Sequence, residues 1–317
     1  MKLEEYSTIE EKETLFINGG SKIDLNIEKL FDEIRKFYED GDSFVFRGLS
    51  EAKYKMYNSA QRIYINQELH RQVPSDSISE HYKNFISQLI ESTKTWNNGV
   101  IKELLINSGI DENNALAYLS YMQHYEIPTP LLDFSYNPYV ALFFAIDNLN
   151  YVGSDIEIDN YFSFYYTHTD ATVFEGWKYV FDESLKKKGI TYEIIDENDM
   201  SIILPNNELY KITNSVKIIN QKGLFFYNNH PWYPLERTYK EYIDFVKKEW
   251  GDEKFGKAMV HETLSGCFNI HKSLIPAIKM KLNELGITKN YIYPDMLDFK
   301  ERVINEGILK SLTLKKQ

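Results

Sequence analysis

The sequence predicts an α+β fold: a single mixed domain with a small central sheet and a helical insertion at about residues 76–125. Three observations predict it. Apolar residues recur at helical spacing over 24–38, 78–106 and 112–124. Short apolar runs of strand length stand at 43–46, 161–167 and 224–227. Helices and strands then alternate irregularly, which disfavours a doubly wound parallel sheet.

The elements follow in chain order. Residues 1–23 read as a polar N-terminal arm ending at the turn Gly19-Gly20, and 24–317 as the domain itself. Leu25, Ile27, Leu30, Phe31, Ile34, Phe37 and Tyr38 recur at helical spacing, with Asp24 as the expected cap. Asp40-Gly41-Asp42 stops that helix. Ser43-Phe44-Val45-Phe46 is then a short strand delivering Arg47-Gly48 at its end. Residues 50–75 are polar and read as irregular. One long amphipathic helix is expected over 78–106, and a second over 112–124 capped by Asp111. Pro128 and Pro130 break structure before Leu131-Leu132-Asp133-Phe134. Asn137-Pro138 starts a wholly apolar helix, because proline's missing N–H is no loss in a first turn. A helix that is apolar all round is buried. Beyond 150, strands are expected at 161–167, 192–195, 201–204, 216–219 and 224–227. Helices are expected at 173–188, 238–250, 276–285 and 295–306.

Composition narrows the function classes. The chain has 317 residues, enough to bury a sizeable core. With 36 Lys and Arg against 47 Asp and Glu, the formal charge of −11 disfavours general nucleic-acid binding. A single cysteine, Cys267, excludes an internal disulfide framework. The acidic start lacks the apolar stretch of a secretory leader, and no run of about 18 apolar residues suits a membrane span. A cytoplasmic protein is expected. The 24 Tyr and 19 Phe fit an aromatic core or a site that stacks planar rings.

Three constellations could carry chemistry. In Phe46-Arg47-Gly48, an arginine on a buried strand presents a planar fork suited to phosphate or carboxylate. Gly48 allows close approach of a ligand or a left-handed turn. The plainer reading is a salt bridge pinning a loop. Residues 123–136 pack His124, Tyr125, Thr129, Asp133, Ser135 and Tyr136 between a helix end and a buried helix, where sites tend to sit. Local capping by Asp133 or Ser135 is the alternative. Gln221-Lys222-Gly223 precedes a strand and reads as a hairpin or bulge unless Gln221 reaches a site. No metal is expected: the histidines are scattered, and His261-Glu262 lacks the second histidine of a zinc helix.

These pieces, in this order, resemble the FRG domain family. The family's aromatic-Arg-Gly strand stands here as Phe46-Arg47-Gly48, and its long central motif as QHYEIPTPLLDFSYNPYVALFFA at 123–145. Its Gln-x-Gly-x-Phe strand matches Gln221 to Phe225, and its C-terminal run LNELGITKNYIYPDMLDF at 282–299. Glu126, Pro130 and Phe134 depart from the family's usual Gly, Arg and Trp. The resemblance implies bacterial anti-phage or toxin-type defence. A weaker similarity, to ADP-ribosyltransferases of the Arg–Ser–Glu type, implies an ADP-ribosyltransferase-like sheet and NAD as substrate. The product would be an ADP-ribosylated macromolecular acceptor or hydrolysed NAD. On that similarity Arg47 and Gly48 hold the dinucleotide, Tyr125 or Tyr136 stacks on nicotinamide and Ser135 supports the strand edge. Arg47, His124, Asp133 and Gln221 form the catalytic set. Lys217 falls where the family's glutamate belongs, leaving Asp133, Glu236 or Glu262 as the acid. The alternatives are a non-enzymatic sensor binding a nucleotide or a phage protein, and a nuclease holding Mg²⁺ at Asp133. Convergence of Arg47, His124, Asp133 and Gln221 on one cleft would favour the NAD reading.

Overall fold

A computed structural model describes residues 2–13, 20–23, 26–39, 44–168, 202–204, 220–228, 230–236, 266–294, 300, 303–305 and 307. Among them, seven strands make one sheet: β1 (Gly20–Ile23), β2 (Phe44–Leu49), β3 (Leu131–Ser135), β4 (Tyr161–His168), β5 (Ile202–Leu204), β6 (Gly223–Tyr227) and β7 (Gly266–His271). Their spatial order is β1-β7-β4-β2-β3-β6-β5. Only β1 and β7 run parallel; the other pairs are antiparallel. The fold class is α+β.

Helix α1 (Ile9–Glu13) precedes β1, and α2 (Ile27–Glu39) follows it. Helices α3 (Ser59–Asn66), α4 (Ile78–Thr95), α5 (Val100–Asn107) and α6 (Ala115–His124) lie between β2 and β3. Helix α7 (Pro138–Ile146) follows β3, and α8 (Ile275–Glu284) and α9 (Lys289–Ile292) follow β7. The main core joins α2, α7 and α8 to the sheet through Leu30, Ile34, Phe46, Val140, Phe164 and Ile278. A second core, centred on Tyr64, Tyr82 and Tyr118, binds α3–α6 together and reaches Leu131 and Phe225 on the sheet. None of the described helices is long and apolar enough to cross a membrane.

Helix α7 forms as its sequence dictates. Asn137 Oδ1 accepts from the Tyr139 N–H at 2.9 Å, Pro138 fills the first turn, and seven of its residues are buried. Gly48 is required here by packing: a Cβ there would stand 2.1 Å from the Ala141 carbonyl. The missing side chain lets β2 lie directly against α7.

Several elements depart from expectation, each for a local reason. Arg47 lies inside β2, which runs on to Leu49, rather than at its end. The supposed polar arm contains α1 and supplies β1 to the sheet, paired with β7. Residues 50–75 contain α3, whose Asn58 and Gln61 form a reciprocal capping box. The expected helix over 78–106 breaks because Asn97, Asn98 and Gly99 all adopt left-handed backbone. Asn114, not Asp111, caps α6, taking the Ala117 N–H at 3.0 Å. Asn26 bonds the first turn of α2, accepting from the Lys29 N–H at 2.9 Å; Asp24 lies outside the described residues. So do the elements expected at 173–188, 192–195, 216–219 and 238–250, and most of 295–306.

Candidate functional site

The site begins where two neighbouring strands part. β2 and β3 share one registered pair, Phe46 with Ser135, whereas β3 and β6 pair along five residues. Past that pair, a side chain, not the backbone ladder, links the two strands: Arg47 Nη1 donates to the carbonyl of Asp133. The gap opens into a cleft of about 420 Å³, within the range of small-molecule sites.

Arg47 is half-buried on the floor of this cleft. Its Nε is shut off from solvent and has no hydrogen-bond acceptor among the described residues. Burial lowers the guanidinium's pKa, while the nearby Asp133 charge acts to raise it. It remains a cation, because arginine does not deprotonate in proteins. The guanidinium carbon lies 5.8 Å from the Phe134 ring centre, a cation–π distance. A buried donor left unsatisfied costs stability until an acceptor arrives, so Arg47 is prepared for an anion.

Asp133 faces the same cleft, and its carboxylate is aimed by a chain of side chains. Gln123 Nε2 donates to Asp133 Oδ2 at 2.7 Å. Thr129 Oγ1 donates to Gln123 Oε1 and accepts from the Leu131 N–H at 3.2 Å. Thr129 is fully buried, so the chain is anchored in the core. The carboxyl is open to the cleft yet ringed by protein. That desolvation raises its pKa above the ordinary aspartate value, against the Arg47 charge and the Gln123 amide, which lower it.

The end of α6 turns the chain into this site. The Ile127 N–H reaches back to the Met122 carbonyl at 2.9 Å, and Glu126 takes a φ of 58°. This is the left-handed helix stop in which glycine is the usual residue. His124 and Glu126 thereby reach the cleft wall, beside Phe134, Phe144 and Tyr293.

Arg47, His124, Asp133 and Gln221 all line the cleft, with Gly48 and Ser135. Two of these are already engaged in structure. Ser135 Oγ donates to the Gln221 carbonyl at 2.6 Å and accepts from the Asn137 N–H at 2.9 Å, stitching β3 to the residues before β6. Gln221 Nε2 donates to the Ile292 carbonyl at 3.2 Å. The tyrosines expected to stack on a ligand do not line the cleft. Tyr125 is exposed and packs on Tyr121 at 4.6 Å, because the left-handed turn follows it. Tyr136 follows the strand end, its N–H held by the Lys222 carbonyl at 3.0 Å. The aromatic walls are instead Phe134, Phe144 and Tyr293. Tyr293 lies 6.2 Å from Phe144, edge to face.

Of the candidate acids, Glu236 is buried away from the cleft. It accepts from the Met56 N–H at 2.9 Å and the Tyr6 hydroxyl at 3.0 Å. Glu262 and Lys217 lie outside the described residues. Asp133 is therefore the described candidate acid that faces the cleft. Among the described residues, no three His, Cys, Asp or Glu side chains come together to hold a metal ion. Gln123 is a site residue that the sequence alone does not point to, and Thr129 stands in the sequence only as one member of the 123–136 stretch. What signal there is lies in the long motif that supplies Asp133, within which both stand.

No curated protein and no solved structure matches the chain. Residues 42–152 match the family model of the FRG domain. That span begins just before β2 and ends just past α7, so it includes Arg47, Gln123, His124, Asp133 and Ser135. Residues 42–152 are thus similar to an FRG domain, and the cleft between β2 and β3 is lined largely by them.

Proposed function

We propose that the cleft binds NAD and cleaves its bond between nicotinamide and ribose, passing ADP-ribose to a macromolecular acceptor or to water. One observation carries this reading: an arginine with an unused donor and an aimed carboxylate share one aromatic-walled cleft. Arg47 Nε suits a phosphate oxygen bidentately with the rest of its fork. Phe134, Phe144 and Tyr293 offer faces and edges to planar rings. Asp133 would stabilise positive charge developing on the ribose as the C–N bond breaks and its electron pair leaves with nicotinamide. Water or the acceptor nucleophile then bonds to the ribose carbon and releases its proton, with His124 at the cleft wall to receive it. Gln123 and Thr129 act as positioning residues, through Asp133.

Bacterial anti-phage or toxin-type defence in the cytoplasm is the setting we assign, on the family resemblance. The test is incubation of the pure protein with NAD while free nicotinamide is followed. Release at a rate above the buffer blank is expected. Neither release nor a thermal shift on adding NAD would overturn the reading. A second reading, a nucleotide sensor without turnover, is favoured by the structural engagement of Ser135 and Gln221, two cleft residues whose side chains are given over to holding the fold. It predicts the thermal shift without the nicotinamide.

A further inference from the structure

We propose that Glu126 is a charge filter, setting the cleft against ligands of high net negative charge. Its backbone stands in left-handed conformation at the stop of α6, with φ of 58°. Two bonds close that stop: the Ile127 N–H to the Met122 carbonyl at 2.9 Å and the Glu126 N–H to the Gln123 carbonyl at 3.2 Å. Glycine adopts this conformation freely, whereas any Cβ is strained there. The side chain does not recover that cost by packing, because Glu126 is exposed. Nor does it recover it by pairing: its carboxylate has no hydrogen-bond or ion-pair partner among the described residues. It does line the cleft that holds Arg47 and Asp133.

The consequence is electrostatic. Arg47 is the one Lys or Arg side chain of the described lining, which also holds His124, against two carboxylates, Asp133 and Glu126. Asp133 is tied to Gln123 and close to Arg47, so Glu126 is the carboxylate whose charge is least compensated. A ligand can place one phosphate on Arg47, but each further phosphate meets the Glu126 charge across a confined cleft. NAD, whose nicotinamide ring is cationic, satisfies that balance better than ADP-ribose, which has lost the ring. The filter therefore also hastens departure of the more anionic product. This inference rests on the reading of the cleft as a nucleotide site with a phosphate on Arg47.

The test is binding of AMP, ADP and ATP at low ionic strength to the wild-type chain and to Glu126→Gln and Glu126→Gly. The wild type should gain no affinity from AMP to ATP. Glu126→Gln keeps the side chain's size and strain but loses its charge, and should gain about threefold per added phosphate. That gain should vanish near 1 M salt, where the screening length falls to about 3 Å. Glu126→Gly should show the same gain and melt about 2 °C higher. The same order of affinities in the wild type and Glu126→Gln, or no binding by either, overturns the filter. Nicotinamide release from NAD by the wild type alongside an unchanged order would overturn the filter and leave the enzymatic reading standing. A charge-dependent order without release or an NAD shift would do the reverse.

Discussion

Arg47 reaches across the gap between β2 and β3 and donates from Nη1 to the main-chain carbonyl of Asp133, not to its carboxylate. The two charges thus stay separate on one cleft floor instead of neutralising each other in a salt bridge. The arginine keeps Nε in reserve, and the carboxylate is held by a neutral amide, Gln123. A cation and an anion presented side by side suit a ligand carrying both a phosphate and a carbon that becomes positive.

Asp133→Asn separates function from stability. Burial raises the carboxyl's pKa in the folded chain, so the ionised form is less favoured there than in the unfolded chain. The sign follows from linkage: wild type loses stability as pH rises from the unfolded value of about 3.9 through the higher folded one. The variant should therefore melt at or above the wild-type temperature at neutral pH, with the gap closing as pH falls. Nicotinamide release should drop at least about a hundredfold. Melting curves from acid to neutral pH check the first part, and a lower melting temperature for the variant at neutral pH contradicts it.

Gly48→Ala should fail structurally. Its Cβ would meet the Ala141 carbonyl at 2.1 Å and the Ala145 Cβ at 2.7 Å, both on α7. Backbone cannot give way as a flexible side chain does, so the cost is about 3 kcal/mol or more. Denaturant unfolding should show that loss or an insoluble protein. Wild-type stability would mean that β2 and α7 do not meet as described.

Thr129→Val tests the positioning chain. The isosteric valine removes the hydroxyl that donates to Gln123 and accepts from the Leu131 N–H. Two buried bonds are worth about 2 kcal/mol of stability. Turnover should fall as well, because Gln123 is no longer oriented and Asp133 loses its aim. Thr129→Ser keeps the hydroxyl and should restore turnover even where stability stays reduced. Equal turnover in the valine and serine variants would deny the chain a role.

What could be read from the sequence was local; what was missed depended on distance or on single backbone angles. Asn137-Pro138 and the apolar run after it specify α7 within one short stretch. The run Tyr161–Thr167 likewise announced β4. Asn97-Asn98-Gly99 is a turn signature in plain sight, but the apolar spacing on either side hid it. The capping pair Asn58 and Gln61 is equally visible, inside a stretch whose polarity masks a helix. β1 and β7 are different: each is short, and their parallel pairing joins Gly20 to Cys267 across most of the chain. At the site, residue types pointed correctly to the neighbourhood of Arg47 and Asp133. They could not show that Ser135 and Gln221 would be taken up by main-chain bonds. Nor could they show that Tyr125 would turn outward just before the left-handed Glu126.

The most direct measurement is calorimetric titration of NAD into the wild-type chain and into Arg47→Lys. Lysine keeps the positive charge and can still reach the Asp133 carbonyl, but it has no Nε donor and no fork. One NAD per chain is expected for the wild type, and binding about tenfold weaker or worse for the variant. Equal affinity in the two proteins would contradict the claim that Arg47 Nε is held ready for the ligand's phosphate.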